Sequence, residues 1–187
     1  MEVVGSWIQS SVASVAEPKP PASVGTESER LLFLDIDGVI CCNFECKLEE
    51  DKLKQLKRIH KATNCKVVIS SDWRRNLPAK QKLQRALDRL GVPVVGCTPI
   101  RSMGHKIIGR WRVEQPCRPV EITDWLKKHR GKDLERTRWV AIDDRDLVSE
   151  IGGEDLVGHV VKTEMYYGLT GPHATQAIQI LRGTPVA

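Results

Sequence analysis

The segment that decides the fold is LLFLDIDGVI, residues 31–40, in which an apolar run of strand length ends at two carboxylates and a glycine. Because residues i and i+2 of a strand point to the same side, Asp35 and Asp37 can face one pocket where the strand ends. Gly38 lets the backbone turn sharply out of the sheet. Two carboxylates this close repel each other unless a cation such as Mg²⁺ lies between them. The pattern predicts a metal-dependent site, although a solvated turn after a buried strand has a similar composition.

Two further apolar segments end in polar side chains. They are residues 65–69, followed by Ser70 and Ser71, and residues 139–142, followed by Asp143 and Asp144. In an open parallel sheet, the ligand site lies outside the carboxyl ends of the strands. We therefore expect the three strand ends to converge on one crevice.

In this order, the motifs resemble the haloacid-dehalogenase superfamily of phosphohydrolases and phosphotransferases, whose first signature is an apolar strand followed by Asp-x-Asp-Gly. The resemblance spans about residues 31–182. A narrower resemblance is to the haloacid-dehalogenase-like domain of Swiss Army Knife RNA repair proteins. It rests on LDIDGV (34–39), ISSDWR (69–74), RPVEI (118–122) with Trp125 and Leu126, IDD (142–144) and GLT (168–170). One departure is Pro119, at a position where that family usually has glycine, and it bears on the aim of the preceding arginine.

The resemblance implies that four carboxylates share the chemistry. Asp35 would attack phosphorus and form an aspartyl-phosphate, and Asp37 would protonate the leaving oxygen and later deprotonate the attacking water. Mg²⁺ would be held by Asp35, Asp143 and Asp144, with Asp37 contributing its backbone carbonyl.

The resemblance also implies the residues that bind phosphate. Ser70 would hydrogen-bond the transferring phosphoryl group, with Ser71 as the alternative, and Arg118 would neutralise its oxygens. Lys106 is the alternative to Arg118 and a candidate substrate ligand. Arg74 would hold a substrate phosphate beyond the reacting one, or would instead pair with Asp72 or Asp144.

Alternation of strand-like and helix-like segments predicts an α/β fold: a doubly wound, mainly parallel Rossmann-like sheet with helices on both faces. The predicted strands are 31–35, 66–69, 92–97, 139–142 and 160–162, and the predicted helices are 48–63, 81–90, 120–129 and 172–181. The connections leave no room for a large cap domain. The site should therefore be open, which favours a large substrate. The composition of residues 1–28 predicts a disordered leader, and residues 29–187 are expected to form the phosphatase domain.

The segment 99–117 predicts an irregular, basic stretch. It carries Arg101, His105, Lys106, Arg110, Trp111 and Arg112 against the single acid Glu114. Such a mixture can pair with phosphates and stack a nucleobase. The alternative is a surface loop in which Trp111 packs on the edge of the domain.

Charge and cysteine usage limit the partners and the compartment. The 187-residue chain has a formal charge of +5 and a pI of about 8.9, which favours anionic partners. Its six cysteines lack a CxxC pair or disulfide spacing, so free thiols in the cytoplasm are expected, and Cys41, Cys42 and Cys46 lack the fourth ligand of a zinc site. No apolar stretch is long enough to span a membrane, no organelle leader is supported, and no oligomeric state is indicated.

The sequence thus predicts a Mg²⁺-dependent phosphohydrolase that acts through an aspartyl-phosphate on phosphorylated RNA or DNA ends or on nucleotides. A phosphotransferase and a protein or small-molecule phosphatase are alternatives that share the same chemistry. A non-catalytic nucleic-acid-binding module on the same fold is a further alternative. The presence of both Asp35 and Asp37 argues against that module, because paired carboxylates are costly without a metal.

Overall fold

The protein is described by a computed structural model that covers residues 28–102, 104–114 and 117–184. The predicted leader lies outside these residues, apart from position 28. The strands are β1 (Arg30–Leu34), β2 (Lys66–Ile69), β3 (Val94–Cys97), β4 (His105–Ile108), β5 (Trp111–Glu114), β6 (Arg138–Asp143) and β7 (Val160–Lys162). The α-helices are α1 (Glu50–Thr63), α2 (Leu77–Leu90), α3 (Arg118–Arg130) and α4 (Gly171–Arg182). Short 3-10 helices cover Asp72–Arg75, Gly131–Arg136, Leu147–Ser149 and Gly153–Leu156.

The main sheet has five parallel strands in the order β3-β2-β1-β6-β7. The strand β1 is central, with Leu34 opposite Ile69 of β2 and Ile142 of β6. Leu31 through Leu34 are all buried, as expected for a strand that is covered on both faces. The predicted doubly wound α/β class is confirmed.

Helices cover both faces of the sheet. Leu56 of α1, Leu83 of α2 and Ala177 of α4 belong to the same buried cluster as Leu32 and Leu34. On the opposite face, α3 packs Ile122, Trp125 and Leu126 against Leu31 and Phe33. None of the helices in the described ranges is long and apolar enough to cross a bilayer.

Several element boundaries differ from the sequence prediction, and the physical cause is visible for two of them. Helix α2 begins at Leu77 rather than at position 81, because the Asn76 side chain accepts a hydrogen bond from the Ala79 amide (3.0 Å) and Pro78 lies in the first turn. Strand β3 begins at Val94 rather than at position 92, because Pro93 has no N–H to donate to a strand ladder.

The prediction that segment 99–117 is irregular is wrong in part. Strands β4 and β5 form an antiparallel hairpin in which Ile108 lies opposite Trp111. Gly109, with φ of +62°, occupies the first position of the two-residue turn, where glycine is favoured. Of the hairpin's longer side chains the structure describes Ile107 and Arg110, and both are exposed. The hairpin is too small to be a cap domain, so the prediction of an uncapped fold agrees with the described part of the chain.

Truncation of Phe33 should destabilise the domain strongly. Its ring meets Trp125 and Trp139 edge-to-face, with centroid distances of 5.5 and 5.9 Å, so Phe33→Ala leaves a cavity between β1 and α3. We expect the free energy of unfolding in urea to fall by about 3–5 kcal/mol. The control Val157→Ala, at a side chain that is 65% exposed, should change it by less than about 0.5 kcal/mol. Equal effects of the two substitutions would contradict this packing.

Candidate active site

Three strands end side by side at the carboxyl edge of the sheet. The Asp35 amide donates to the Ile142 carbonyl (3.0 Å), and the Ser70 amide donates to the Leu34 carbonyl (2.8 Å). These bonds continue the parallel ladders by one residue beyond β1 and β2. The three polar motifs that follow the strands are therefore brought to one place.

A cluster of three carboxylates lies at this edge. Asp35, Asp143 and Asp144 each offer an oxygen atom within 4.8 Å of the others. Asp35 and Asp143 are buried, whereas Asp144 is partly exposed. A set of carboxylate oxygens with one open side suits Mg²⁺, which prefers oxygen ligands and keeps several waters. The Asp37 side chain is exposed and lies outside this group. The predicted share of Asp37 in metal binding is through its backbone carbonyl, and it stays a prediction.

Gly38 allows the Asp144 carboxylate to lie close to the turn that follows β1. Its φ is +68°, and a Cβ at this position would come within 2.5 Å of the Asp144 carboxylate. The buried Thr163 hydroxyl donates to the Gly38 carbonyl (2.7 Å) and fixes the turn. Glycine is thus required both by the backbone conformation and by the close approach of Asp144.

Arg118 supplies the positive charge of the site. One guanidinium nitrogen lies 2.9 Å from Asp35 Oδ1 and 2.8 Å from Asp143 Oδ2, and the side chain is only 6% exposed. Pro119 lies in the first turn of α3, where a missing N–H has no partner to lose. The departure at Pro119 therefore does not turn Arg118 away from the carboxylates.

Burial and charge repulsion shift the pKa values of the cluster. Burial, followed by repulsion from Asp143, raises the pKa of Asp35 from 3.8 to about 7, although Arg118 opposes the shift. Burial and Asp143 also raise the pKa of Asp144. Burial alone lowers the pKa of Arg118, but its two carboxylate partners more than offset this and raise it. One guanidinium does not balance three carboxylates, so the site favours an additional cation.

Both candidate serines are buried beside Asp35. The Ser71 hydroxyl hydrogen-bonds to the Asp35 carboxylate, and this bond acts to lower the pKa of Asp35. Ser70 Oγ is buried and has no hydrogen-bond partner among the described groups. An unpartnered buried hydroxyl is unfavourable, so Ser70 retains an unused bond for a ligand. The two serines stay predicted phosphate ligands, and Ser71 is the one that contacts Asp35.

Trp73 holds the Asp37 carboxylate. Its indole Nε1 lies 3.0 and 3.1 Å from the two Asp37 carboxylate oxygens. The tryptophan is 8% exposed, and a buried indole N–H generally finds a hydrogen-bond partner. The sequence analysis named Trp73 only as part of the ISSDWR motif. A buried tryptophan would have indicated that its indole N–H needs an acceptor, but the sequence does not identify that acceptor, which lies 36 residues away in the chain.

Arg74 binds protein groups rather than facing solvent. Its side chain is 3% exposed, and Nη2 lies 2.6 Å from Glu121 Oε2. It also donates to the Ser71 carbonyl (2.6 Å) and the Pro99 carbonyl (3.3 Å). The geometry gives no support to the predicted substrate-binding role of Arg74 and agrees with the alternative of an ion pair, since Nη1 also lies 3.8 Å from Asp72 Oδ1. The sequence analysis named Glu121 only within a motif and not as the partner of Arg74. The side chain of Lys106 lies outside the described part of the structure.

The fold and the site are those of a haloacid-dehalogenase-like domain. The family described as the HAD domain in Swiss Army Knife RNA repair proteins matches residues 31–174, well over half of the chain. The chain belongs to this family, as predicted, and the matched range contains every site residue described above. Membership supports a phosphohydrolase of the haloacid-dehalogenase type. No curated protein and no solved structure is significantly similar to the chain.

Mg²⁺ should stabilise the protein more at high pH than at low pH. Because the pKa of Asp35 is raised from 3.8 to about 7, the stability contributed by its proton is complete below about pH 4 and is lost as the pH rises through about 7. Mg²⁺ replaces the proton as the counter-charge, so the Mg²⁺-induced rise in Tm should be larger at about pH 8 than at about pH 5. Thermal melts with Mg²⁺ or EDTA measure this effect. An equal rise at both pH values would contradict the proposed coupling.

Arg74 should contribute to stability rather than to substrate binding. Arg74→Met leaves the buried Glu121 carboxylate without a counter-charge, with only the Arg101 amide still donating to it (2.9 Å), so the free energy of unfolding should fall by about 3–5 kcal/mol. Replacing both residues by methionine should recover part of this loss. The matched control is Arg101→Met, which breaks the more exposed pair with Asp124 and should cost less than about 1 kcal/mol. Unchanged stability with a raised KM would instead make Arg74 a substrate ligand.

Proposed function

We propose that the protein is a Mg²⁺-dependent phosphatase that hydrolyses phosphoric monoesters through an aspartyl-phosphate on Asp35. The observation that carries the proposal is the position of Asp35, whose carboxylate pairs with Arg118 and lies within 4.8 Å of Asp143 and Asp144 at the sheet edge. A second carboxylate, Asp37, lies two residues away and is held by an indole N–H. A nucleophile and a separate acid–base group are the two parts that this reaction needs.

The first step transfers the phosphoryl group to the protein. An Asp35 oxygen attacks phosphorus, the bond from phosphorus to the leaving oxygen breaks, and Asp37 donates its proton to that oxygen. Arg118 and the serine hydroxyls stabilise the negative charge on the phosphoryl oxygens, which is the larger part of catalysis in phosphoryl transfer. In the second step, Asp37 accepts a proton from water, the water oxygen attacks phosphorus, and phosphate leaves Asp35.

Asp35, Asp143 and Asp144 would hold the metal. The chemistry that Mg²⁺ supplies when bound is neutralisation of the negative charge that the carboxylates and the phosphoryl group bring together. The crowding of these carboxylates and the raised pKa of Asp35 support this requirement. The open, uncapped edge of the sheet and the net charge of +5 support a phosphorylated nucleic-acid end as the substrate.

A substrate screen tests the proposal as a whole. Purified protein with Mg²⁺ is assayed against an aryl phosphate, sugar phosphates, nucleotides, phosphopeptides and oligonucleotides with a 3′- or 5′-phosphate. Release of inorganic phosphate supports hydrolysis, whereas transfer to an added alcohol supports the phosphotransferase alternative. Failure to cleave any ester would favour a non-catalytic nucleic-acid-binding module.

Replacing the two central carboxylates should separate their roles. With an aryl phosphate in Mg²⁺, Asp35→Asn should abolish turnover, and Asp37→Asn should lower it by about 10²-fold or more. Asp146→Asn, at an exposed acid just beyond the cluster, is the matched control and should retain activity. If Asp35→Asn keeps wild-type activity, Asp35 is not the nucleophile. Full recovery of Asp37→Asn at saturating Mg²⁺ would reduce Asp37 to a metal ligand.

Trp73 should affect catalysis by positioning Asp37, and substrates with different leaving groups test this role. A poor leaving group, such as an alkoxide, needs a proton from Asp37, whereas 4-nitrophenolate leaves without one. Trp73→Phe should therefore lower kcat/KM for an alkyl phosphate by about tenfold and for 4-nitrophenyl phosphate by less than about threefold, because it removes one hydrogen bond to a carboxylate. The control Trp139→Phe should leave the ratio of the two values unchanged. An equal fall for both substrates would indicate a packing role only.

A further inference from the structure

A series of depressions leads away from the candidate site across the face formed by α1 and α2. The first, of about 500 Å³, is lined by Trp73, Asn76 and Lys82. The second shares Lys82, and the third shares Lys54 with the second. We call this series the basic groove and define it by Lys47, Lys54, Lys57, Lys61, Lys82 and Arg89. It begins at Trp73, the side chain that contacts Asp37.

The groove concentrates positive charge. Its acidic lining residues are Glu50 and Asp72, and Lys47 forms an ion pair with Glu45. Lys54, Lys57, Lys61 and Arg89 make no ion pair with any residue that the structure describes, so their charges are available to a ligand. A run of uncompensated cations along one groove attracts a polyanion rather than a single phosphate.

The length of the groove fits a short stretch of a stacked strand. Along α1, the distance from Lys54 to Lys61 is about 10 Å at 1.5 Å per residue. One strand of B-form DNA places a phosphate every 3.4 Å along the axis, so this length corresponds to about three phosphate spacings. A free nucleotide at Asp35 would not reach these lysines, whereas an oligonucleotide would.

Exposed aromatic rings lie in two loops that meet where Gly168 packs against Cys42 and Val39. In the described residues, the exposed aromatic side chains are Phe44, Tyr166 and Tyr167, which are 99%, 76% and 66% exposed. Phe44 precedes Cys46 and Lys47 of the groove lining, and the tyrosines precede Gly168, which packs closely on Cys42 and Val39. A basic groove next to exposed aromatic rings is typical of proteins that bind unpaired bases of a single strand.

We propose that the basic groove binds the backbone of a single-stranded nucleic acid whose terminal phosphate lies at Asp35, and that Phe44 and Tyr166 stack on its unpaired bases. The proposal rests on the proposed function, because it takes the monoester site as the end of the strand. It differs from the sequence prediction for segment 99–117, since the contacts that it names lie on α1, α2 and the adjoining loops.

The test compares two variants with equal loss of charge. The groove variant carries Lys54→Gln, Lys57→Gln, Lys61→Gln and Arg89→Gln. The control variant carries Lys127→Gln, Lys128→Gln, Lys132→Gln and Arg136→Gln, at exposed residues of α3 and the 3-10 helix that follows it, on the opposite face of the sheet. Both are assayed on 4-nitrophenyl phosphate and on a single-stranded oligonucleotide of about ten nucleotides with a terminal phosphate.

The groove variant should lose about tenfold or more in kcat/KM for the oligonucleotide at about 50 mM salt and keep its aryl-phosphate activity within about twofold. The slope of log kcat/KM against log salt should become shallower by about 3, since each phosphate contact contributes about 0.7 for single strands. The control variant should match wild type on both substrates. Phe44→Ala with Tyr166→Ala should weaken the oligonucleotide reaction without changing the salt slope.

Other outcomes separate this proposal from the function on which it rests. Equal losses in the groove and control variants would assign the effect to overall charge and overturn the groove. If the wild-type rate on oligonucleotides does not depend on salt or on strand length while aryl-phosphate turnover is normal, the groove proposal is overturned and the phosphatase proposal stands. If no ester is cleaved, fluorescence anisotropy measures binding of the same oligonucleotide. Loss of binding in the groove variant but not in the control variant supports the groove proposal. Unchanged binding in the groove variant overturns it. Binding of the groove to anionic vesicles but not to the oligonucleotide would also overturn the proposal.

Discussion

The ion pairs of Arg118 with Asp35 and Asp143 are the interaction on which the candidate site depends. They join α3 to the ends of β1 and β6 within a region that excludes most water. One guanidinium does not balance the carboxylates gathered there, and burial raises the pKa of Asp35 to about 7. The same arrangement that aims the proposed nucleophile therefore leaves a deficit of positive charge, which a divalent cation would remove.

A short segment after β2 supports this site from one side. The Ser71 hydroxyl contacts Asp35, and the Trp73 indole holds Asp37. Arg74, the next residue, is buried against Glu121 in the first turn of α3, the turn that also carries Arg118. Two proposed catalytic carboxylates and the helix that bears the guanidinium are thus positioned by one segment. This explains why serine, tryptophan and arginine occur together there, with no need for Arg74 to touch the substrate.

The sequence predicted the parts of the structure that depend on local pattern. Apolar runs that end in Asp or Ser marked β1, β2 and β6, and the rule for parallel sheets then placed their ends together. The start of α2 was missed although Asn76 and Pro78 are ordinary initiation signals, and the hairpin was missed because charged residues obscured its alternation. Contacts between distant positions, such as Trp73 with Asp37, could not be predicted, since a donor has many acceptors available until the fold selects one.

The central claim is that Asp35 becomes phosphorylated, and trapping the phosphoenzyme tests it most directly. In Asp37→Asn protein, 4-nitrophenol can leave without a general acid, but hydrolysis of the intermediate lacks its base, so the phosphoryl group should accumulate. Acid quenching followed by peptide mass spectrometry should locate one phosphoryl group on Asp35, and hydroxylamine should remove it. A phosphoryl group on Ser70 or Ser71, or an unmodified protein under conditions in which the wild type cleaves the ester, would contradict the account.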